Sequence, residues 1–266
     1  MIWFDNNRIP PGHWPFLQTM HAGLRAIEEE LIEIVDITDG AGNILITGCM
    51  QAYRQAVLHR VSDLAAGSVG SWNGRYPIAA AASARALLET VATFHSFLTR
   101  AQKMSDQKDW GAIGGLVDSY AFFSSIKSMK NALTLHDPPR IGKIVVEFIK
   151  STQPGAEDFW DQICDTCHPN GARMMKFSGS LDNGKYVGRE ISDKDSLIFP
   201  AIYNCLYSCC WLIASATEFE ILQEEIATGG PLSTDHKLIV TRDLINNVSD
   251  QLSKETRQGS LTTKKS

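Results

Sequence analysis

Two long stretches that almost lack charge constrain the fold more than any other feature of this sequence. Residues 196–217 contain no Asp, Glu, Lys or Arg, and residues 78–99 contain only Arg85 and Glu89. A helix that is apolar or small-sided all round is buried by its neighbours. The sequence therefore predicts an all-α, single-domain helical bundle built round two central buried helices, 78–100 and 196–225.

Other segments repeat apolar residues at helical spacing and are polar on the opposite side, which is typical of helices that pack round a core. Gly and Pro clusters mark their ends. The predicted surrounding helices are 14–37, 44–66, 106–135, 138–150, 157–167 and 235–254.

The spacing of apolar residues changes from a helical to an alternating pattern at about residues 174–191. Asn183-Gly184 separates two runs with alternating side chains, and Asn-Gly is a strong signal for a two-residue hairpin turn. The sequence predicts a small β-hairpin at about residues 174–191, inserted in the helical domain.

Composition bounds the function. The chain has 266 residues and a net charge of −5, and no basic stripe of the kind that a general nucleic-acid binder shows. We expect one domain over residues 1–255 and a flexible polar tail over residues 256–266. The amino terminus does not resemble a signal peptide, and six cysteines in such a chain indicate reduced thiols, so a cytoplasmic location is predicted.

The uncharged stretch also raises the question of a membrane span. Tyr203, Asn204 and Pro200 lower its apolar density, and no basic residues flank it. We therefore expect a core helix and no membrane partner.

Cys164, Cys167 and His168 form the pattern C-x-x-C-H, which attaches haem in c-type cytochromes. The cytoplasmic prediction argues against haem. Zinc is the stronger functional alternative, with Cys205 or Cys209 as a fourth ligand, and the set Cys164, Cys167, His168 and Cys209 is its fullest form. Free cysteines are also common in ordinary cores. We expect core packing, with no metal and no cofactor.

Arg85 and Glu89 lie one turn apart on a helix that is otherwise uncharged, and a buried ion pair needs partners. His168 and Asn170 stand in the turn after the 157–167 helix, where they either cap its last carbonyls or enter a cleft. The functional hypothesis is a polar pocket formed by Arg85, Glu89, His168 and Asn170. The alternative for the pair is an ordinary surface i, i+4 contact.

The Arg-x3-Glu helix followed by a His-Pro-Asn turn resembles a scattered group of uncharacterised bacterial all-helical proteins, some linked to phage defence or toxin–antitoxin loci. At a distance these resemble the HEPN superfamily of helical nucleotide-binding domains and ribonucleases. The resemblance covers about residues 77–217. It implies a helical bundle, often a homodimer, with a polar pocket near the Arg, Glu and His.

HEPN ribonucleases carry Arg-x4-6-His, which acts on RNA phosphate without a metal. Arg54 and His59 have this spacing, although earlier in the chain than the family usually has it, and a mid-helix Arg and His on a solvent-facing side is the other interpretation. Two functions follow as hypotheses. The first is a ligand-binding or interaction protein for a small polar molecule or protein partner. The alternative is a metal-independent ribonuclease with His168 or His59 as general acid–base and an Arg, such as Arg85, holding phosphate.

Overall fold

A computed structural model describes residues 4, 9, 12–43, 45–121, 140–168, 179–188 and 195–229. The chain is mostly helical, which confirms the predicted all-α fold class. Within these residues the helices are α1 (Trp14–Glu29), α2 (Ile46–Asn73), α3 (Pro77–Asp106), α4 (Trp110–Ala121), α5 (Ile141–Thr152), α6 (Glu157–Cys167), α7 (Asp195–Tyr207), α8 (Cys209–Ala214) and α9 (Ala216–Gly229), and the strands are β1 (Gly179–Asp182) and β2 (Lys185–Gly188).

The two strands are antiparallel and flank Asn183 and Gly184, whose positive φ angles of 48° and 75° fit a tight hairpin turn. Each strand has four residues, and the rest of the predicted range 174–191 lies outside the described residues. The predicted helix 235–254 and the tail 256–266 also lie outside them.

Helix α1 ends at Glu29, eight residues before the predicted end at residue 37. The Gln55 side chain of α2 donates to the Glu30 carbonyl at 3.0 Å and accepts from the Ile32 N–H at 2.9 Å. These bonds satisfy backbone groups that an α-helix would otherwise continue to pair. The helix therefore ends because a tertiary contact replaces its ladder, which hydrophobic spacing does not reveal.

The predicted central helix 196–225 is wrong as one element, because it is divided into α7, α8 and α9. The breaks fall at Ser208 and Ser215. Each buried serine hydroxyl donates to the carbonyl three residues earlier, Cys205 at 2.6 Å and Leu212 at 3.0 Å. Such bonds compete with the helical ladder and bend helices.

No single helix in the described part of the chain has the length and apolar character to cross a membrane. The required length and apolar character are found only in a pair of helical segments that is bent by 43°, Ile198–Ala214 with Ala216–Gly229.

The contacts divide the chain into two compact units, whereas the sequence predicts one domain over residues 1–255, which stays a prediction. The first unit comprises residues 1–34, 53–99 and 140–221. Aromatic side chains fill its core: Phe94 lies 5.9 Å from Phe219 and 6.0 Å from Phe97 between ring centres, and Trp72 lies 5.1 Å from Phe199.

The second unit comprises residues 35–52, 100–139 and 222–266. In its described part, Glu225 accepts a hydrogen bond from Ser105 at 2.7 Å, and Gln223 donates to the Thr47 carbonyl at 3.1 Å.

Within the first unit, α1 packs on α8 at very short range. The Cys210 thiol lies 3.8 Å from the Thr19 carbonyl oxygen, and the buried Cys209 thiol lies 4.0 Å from that of Met20. Gly23 permits this approach, because a Cβ at that position would stand 2.9 Å from the Cys210 sulfur. Any larger residue at position 23 would therefore require the Cys210 side chain to shift.

Candidate functional site

Arg85 and Glu89 form the ion pair that the sequence predicts, on α3. Arg85 Nε donates to Glu89 Oε1 at 3.0 Å. Their side chains are 26% and 30% exposed, so the pair is neither sealed in the core nor free on the surface. By contrast, the i, i+4 pair Lys143–Glu147 on α5 is 3.6 Å long, with side chains 76% and 61% exposed. The α3 pair thus has the partial burial expected of charges at a binding site.

Trp160 of α6 lies beneath the Arg85 guanidinium, whose central carbon is 5.5 Å from the ring centre. The Trp160 side chain is buried, so the ring is a fixed platform. A guanidinium over an indole face is attracted by the ring quadrupole, and the stacking limits its rotation. Glu89 and Trp160 together hold Arg85 in one orientation.

Helix α6 carries two thiols that interact with Arg85, those of Cys164 and Cys167. Trp160, Cys164 and Cys167 are spaced i, i+4 and i+7, which puts them on one stripe of the helix. Glu157 and Asp158 in the first turn favour the helix start at this point. The third thiol is that of Cys205, which is fully buried on α7. Helix α7 packs against α6. We call Arg85, Glu89, Trp160, Cys164, Cys167 and Cys205 the arginine–thiol cluster.

Electrostatics connects the members of the cluster. Burial lowers the pKa of Arg85, but its interactions with Cys164, Glu89 and Cys167 outweigh this and raise the pKa overall. Burial raises the pKa of Cys164 to about 11 and also raises that of Cys167, although the charge of Arg85 acts against both shifts. Arg85 is therefore charged at neutral pH, and both thiols are mainly protonated.

The structure does not assemble the predicted zinc alternative of Cys164, Cys167, His168 and Cys209. His168 is exposed, and Cys209 directs its thiol to the Met20 carbonyl oxygen. Within the described residues, no group of three or more His, Cys, Asp or Glu side chains could hold a metal ion. Two of the predicted ligands, Cys164 and Cys167, belong to the arginine–thiol cluster instead.

His168 caps α6 with its backbone, since its N–H donates to the Cys164 carbonyl at 3.0 Å. Its side chain forms no hydrogen bond or ion pair with another described residue, and Asn170 lies outside the described residues. The pairing of Arg85 with Glu89 is confirmed, whereas the approach of His168 and Asn170 to that pair stays a prediction.

The expectation of a solvent-facing Arg54 is wrong. Arg54 is 8% exposed, forms an ion pair with Glu30, and lies 5.4 Å from the Phe219 ring centre. His59 is exposed, and its Nε2 is 3.2 Å from the Ile32 carbonyl oxygen. Both side chains of the Arg-x4-His pattern therefore contact the segment that follows α1.

The sequence did not point to one member of the cluster, Trp160, and it indicated Cys205 only as an alternative zinc ligand. The signal for Trp160 was its i, i+4, i+7 spacing with the two α6 cysteines. The proximity of Cys205 depends on how α7 packs against α6, and it leaves no local pattern.

The sequence matches no protein-family model, and no curated protein or solved structure is significantly similar to it. The HEPN-like resemblance is therefore neither supported nor contradicted. The geometry of the arginine–thiol cluster is the observation that bears on function.

Proposed function

We propose that this protein binds a small polar ligand carrying a carboxylate or phosphate group, and that Arg85 is the residue that contacts the anion. The observation that carries the proposal is the partly exposed Arg85 guanidinium, which pairs with Glu89 and lies over the Trp160 ring. A charged group costs free energy when it is partly buried, and a ligand anion would offset that cost.

The donor count favours an anion. A guanidinium has five N–H donors in a planar fork. One goes to Glu89, which leaves donors for a bidentate contact with a carboxylate or phosphate. Glu89 keeps one carboxylate oxygen outside the Arg85 bond, which suits a ligand hydroxyl or ammonium group.

Thermal-shift screening against carboxylates and phosphate esters, followed by calorimetry, tests this function. Arg85→Met should abolish binding of a hit, and Arg85→Lys should weaken it at least about tenfold, because Lys lacks the planar fork. Lys143→Met is the matched control, since it breaks another i, i+4 ion pair at an exposed position and should leave affinity unchanged. Equal affinity in Arg85→Met and wild-type protein would exclude Arg85 as the anion contact.

The alternative proposal is a metal-independent ribonuclease that uses Arg54 and His59, or Arg85 and His168. It has weaker support, because Arg54 is buried against Glu30 and His168 is not among the residues that contact Arg85. Cleavage of labelled RNA in EDTA that His59→Ala or His168→Ala abolishes would favour it. A homodimer, a protein partner, a cytoplasmic location and a role in phage defence depend on the sequence expectations and stay proposals.

A further inference from the structure

We propose that Cys164 and Cys167 are a dithiol–disulfide couple, a modification site at which a small disulfide oxidant such as oxidised glutathione forms an intrahelical disulfide. The disulfide would replace two thiols that interact with the Arg85 charge by a group that cannot ionise. The covalent step does not depend on a ligand. Its effect on ligand affinity rests on the proposed function.

The position of the two cysteines favours closure. They are spaced i, i+3 in the last turn of α6, and both are only half-buried, so that an oxidant in solution can reach them. Cβ atoms at this spacing are about 5–6 Å apart, whereas a disulfide needs about 3.5–4.5 Å. The last turn must therefore move by roughly 1–2 Å for the bond to form.

The end of α6 permits such a movement. The His168 N–H closes the turn on the Cys164 carbonyl, and His168 itself leaves the helix with an extended ψ of 132°. A disulfide that distorts its helix is more easily reduced than a relaxed one, so the couple would be reversible.

The surroundings of the two thiols set the order of the two chemical steps. The pKa of Cys164 is raised by burial to about 11, and that of Cys167 is raised less, so the Cys167 thiolate attacks one sulfur of the oxidant and expels the other as a thiolate, which takes up a proton. Cys164 then loses its proton and attacks the Cys167 sulfur of the mixed disulfide, which expels the second thiol. The two cysteine sulfurs lose two electrons together, and the oxidant disulfide is reduced to two thiols.

The remaining described cysteines are less suitable for this reaction. Cys205 is fully buried beside the couple, and Cys49 and Cys209 are also buried. Cys210 follows Cys209 directly in α8, where consecutive side chains point about 100° apart, so these two cannot join without disrupting the helix. The i, i+3 pair is the better-placed dithiol.

Peptide mapping of the native full-length chain tests the site. After equilibration in glutathione redox buffers, free thiols are alkylated and the protein is digested with trypsin. Cys164 and Cys167 share the peptide 151–173, whereas Cys205, Cys209 and Cys210 fall in 195–237. We expect peptide 151–173 to lose two hydrogen atoms under oxidising conditions and to regain them on reduction. Alkylation of both its cysteines in every buffer, or a link to peptide 195–237, would refute the couple.

Three variants test the order of the steps. Cys164→Ser should accumulate one glutathione on Cys167, because the resolving thiol is absent. Cys167→Ser should react at least about tenfold more slowly, and Arg85→Met should slow the first step by a similar factor, because the thiolate loses its stabilising charge. Cys210→Ser is the control and should oxidise like wild-type protein. Equal rates in Cys164→Ser and Cys167→Ser would overturn the assigned order.

Calorimetry on reduced and oxidised protein separates this inference from the proposed function. If no anionic ligand binds either form but the disulfide forms, only the proposed function fails. If a ligand binds through Arg85 but peptide 151–173 never oxidises, only the redox couple fails.

Discussion

Two arginine–glutamate pairs in the first unit have the same chemistry and different surroundings. Arg54 and Glu30 come from different helical regions, and the arginine is almost completely buried. Arg85 and Glu89 are one turn apart on α3, and about a quarter to a third of each side chain is exposed. The Arg54 pair fixes the end of α1 against α2, whereas the Arg85 pair holds a guanidinium at a place that solvent can reach.

Both arginines are paired with a glutamate, so pairing alone does not identify a binding site. A buried arginine whose donors contact its own protein stabilises one arrangement of helices and offers nothing to a ligand. A partly exposed arginine that is fixed by an aromatic ring and a carboxylate is oriented in advance, which lowers the entropy cost of binding. Exposure and remaining donors distinguish the two roles.

The largest effect should come from the buried pair. Glu30→Ala leaves the Arg54 charge buried without its partner and should lower the free energy of unfolding by about 3 kcal/mol. The double change Arg54→Met with Glu30→Leu should recover much of this loss, because no charge then remains to be solvated. Urea unfolding measures both. A Glu30→Ala midpoint equal to wild type would show that the pair carries no such structural role.

Gln55→Ala should have the next largest effect. It removes both hydrogen bonds that capture the backbone after α1, and we expect a loss of about 2 kcal/mol in the free energy of unfolding. Hydrogen exchange should show the greatest loss of protection at Ile32. Gln18→Ala, at an exposed position of α1, is the matched control and should change neither measurement. Unchanged protection at Ile32 would contradict the proposed reason for the helix end.

Glu89→Ala should lower stability by only about 1 kcal/mol, since water reaches the Arg85 side chain and partly replaces the lost carboxylate. If the Arg85–Glu89 pair were fully buried, the expected loss in the free energy of unfolding would be about 3 kcal/mol. The loss of ligand affinity should be larger than the loss of stability, because Arg85 is no longer held in position. A destabilisation equal to that of Glu30→Ala would mean that both pairs are structural.

Lys143→Ala should have the smallest effect, within about 0.5 kcal/mol, because its pair with Glu147 is well solvated. Thermal melts at low and high salt measure it. A destabilisation above that of Glu89→Ala would reverse the ranking by exposure on which the comparison depends.

Local signals predicted much of this fold. The bounds of α6 follow from acidic residues at its start and Pro169 after its end, and the structure gives the predicted range 157–167. The Arg85–Glu89 pair follows from helical spacing. Periodicity could not predict the end of α1 or the break at Ser208, because Gln55 and a serine hydroxyl determine these, and neither interaction changes the hydrophobic pattern.

The candidate site was only partly predictable for the same reason. Two of the six cluster members, Arg85 and Glu89, were assigned to the pocket, and Cys164, Cys167 and Cys205 were considered only as alternative zinc ligands. Cys205 joins them only because α7 packs against α6. The burial of Arg54 was missed, since an arginine in an amphipathic pattern is normally counted as polar.

The short distance between α1 and α8 makes residues 23 and 210 a linked pair in any attempt to diversify this protein. A Cβ at position 23 would require the Cys210 sulfur to move. In a library that randomises both codons, selection for folded protein should return combinations of nearly constant total volume, so that Ala at position 23 requires a smaller residue at 210. Each position would tolerate few changes alone, and the variants recovered together would report the distance between the two helices.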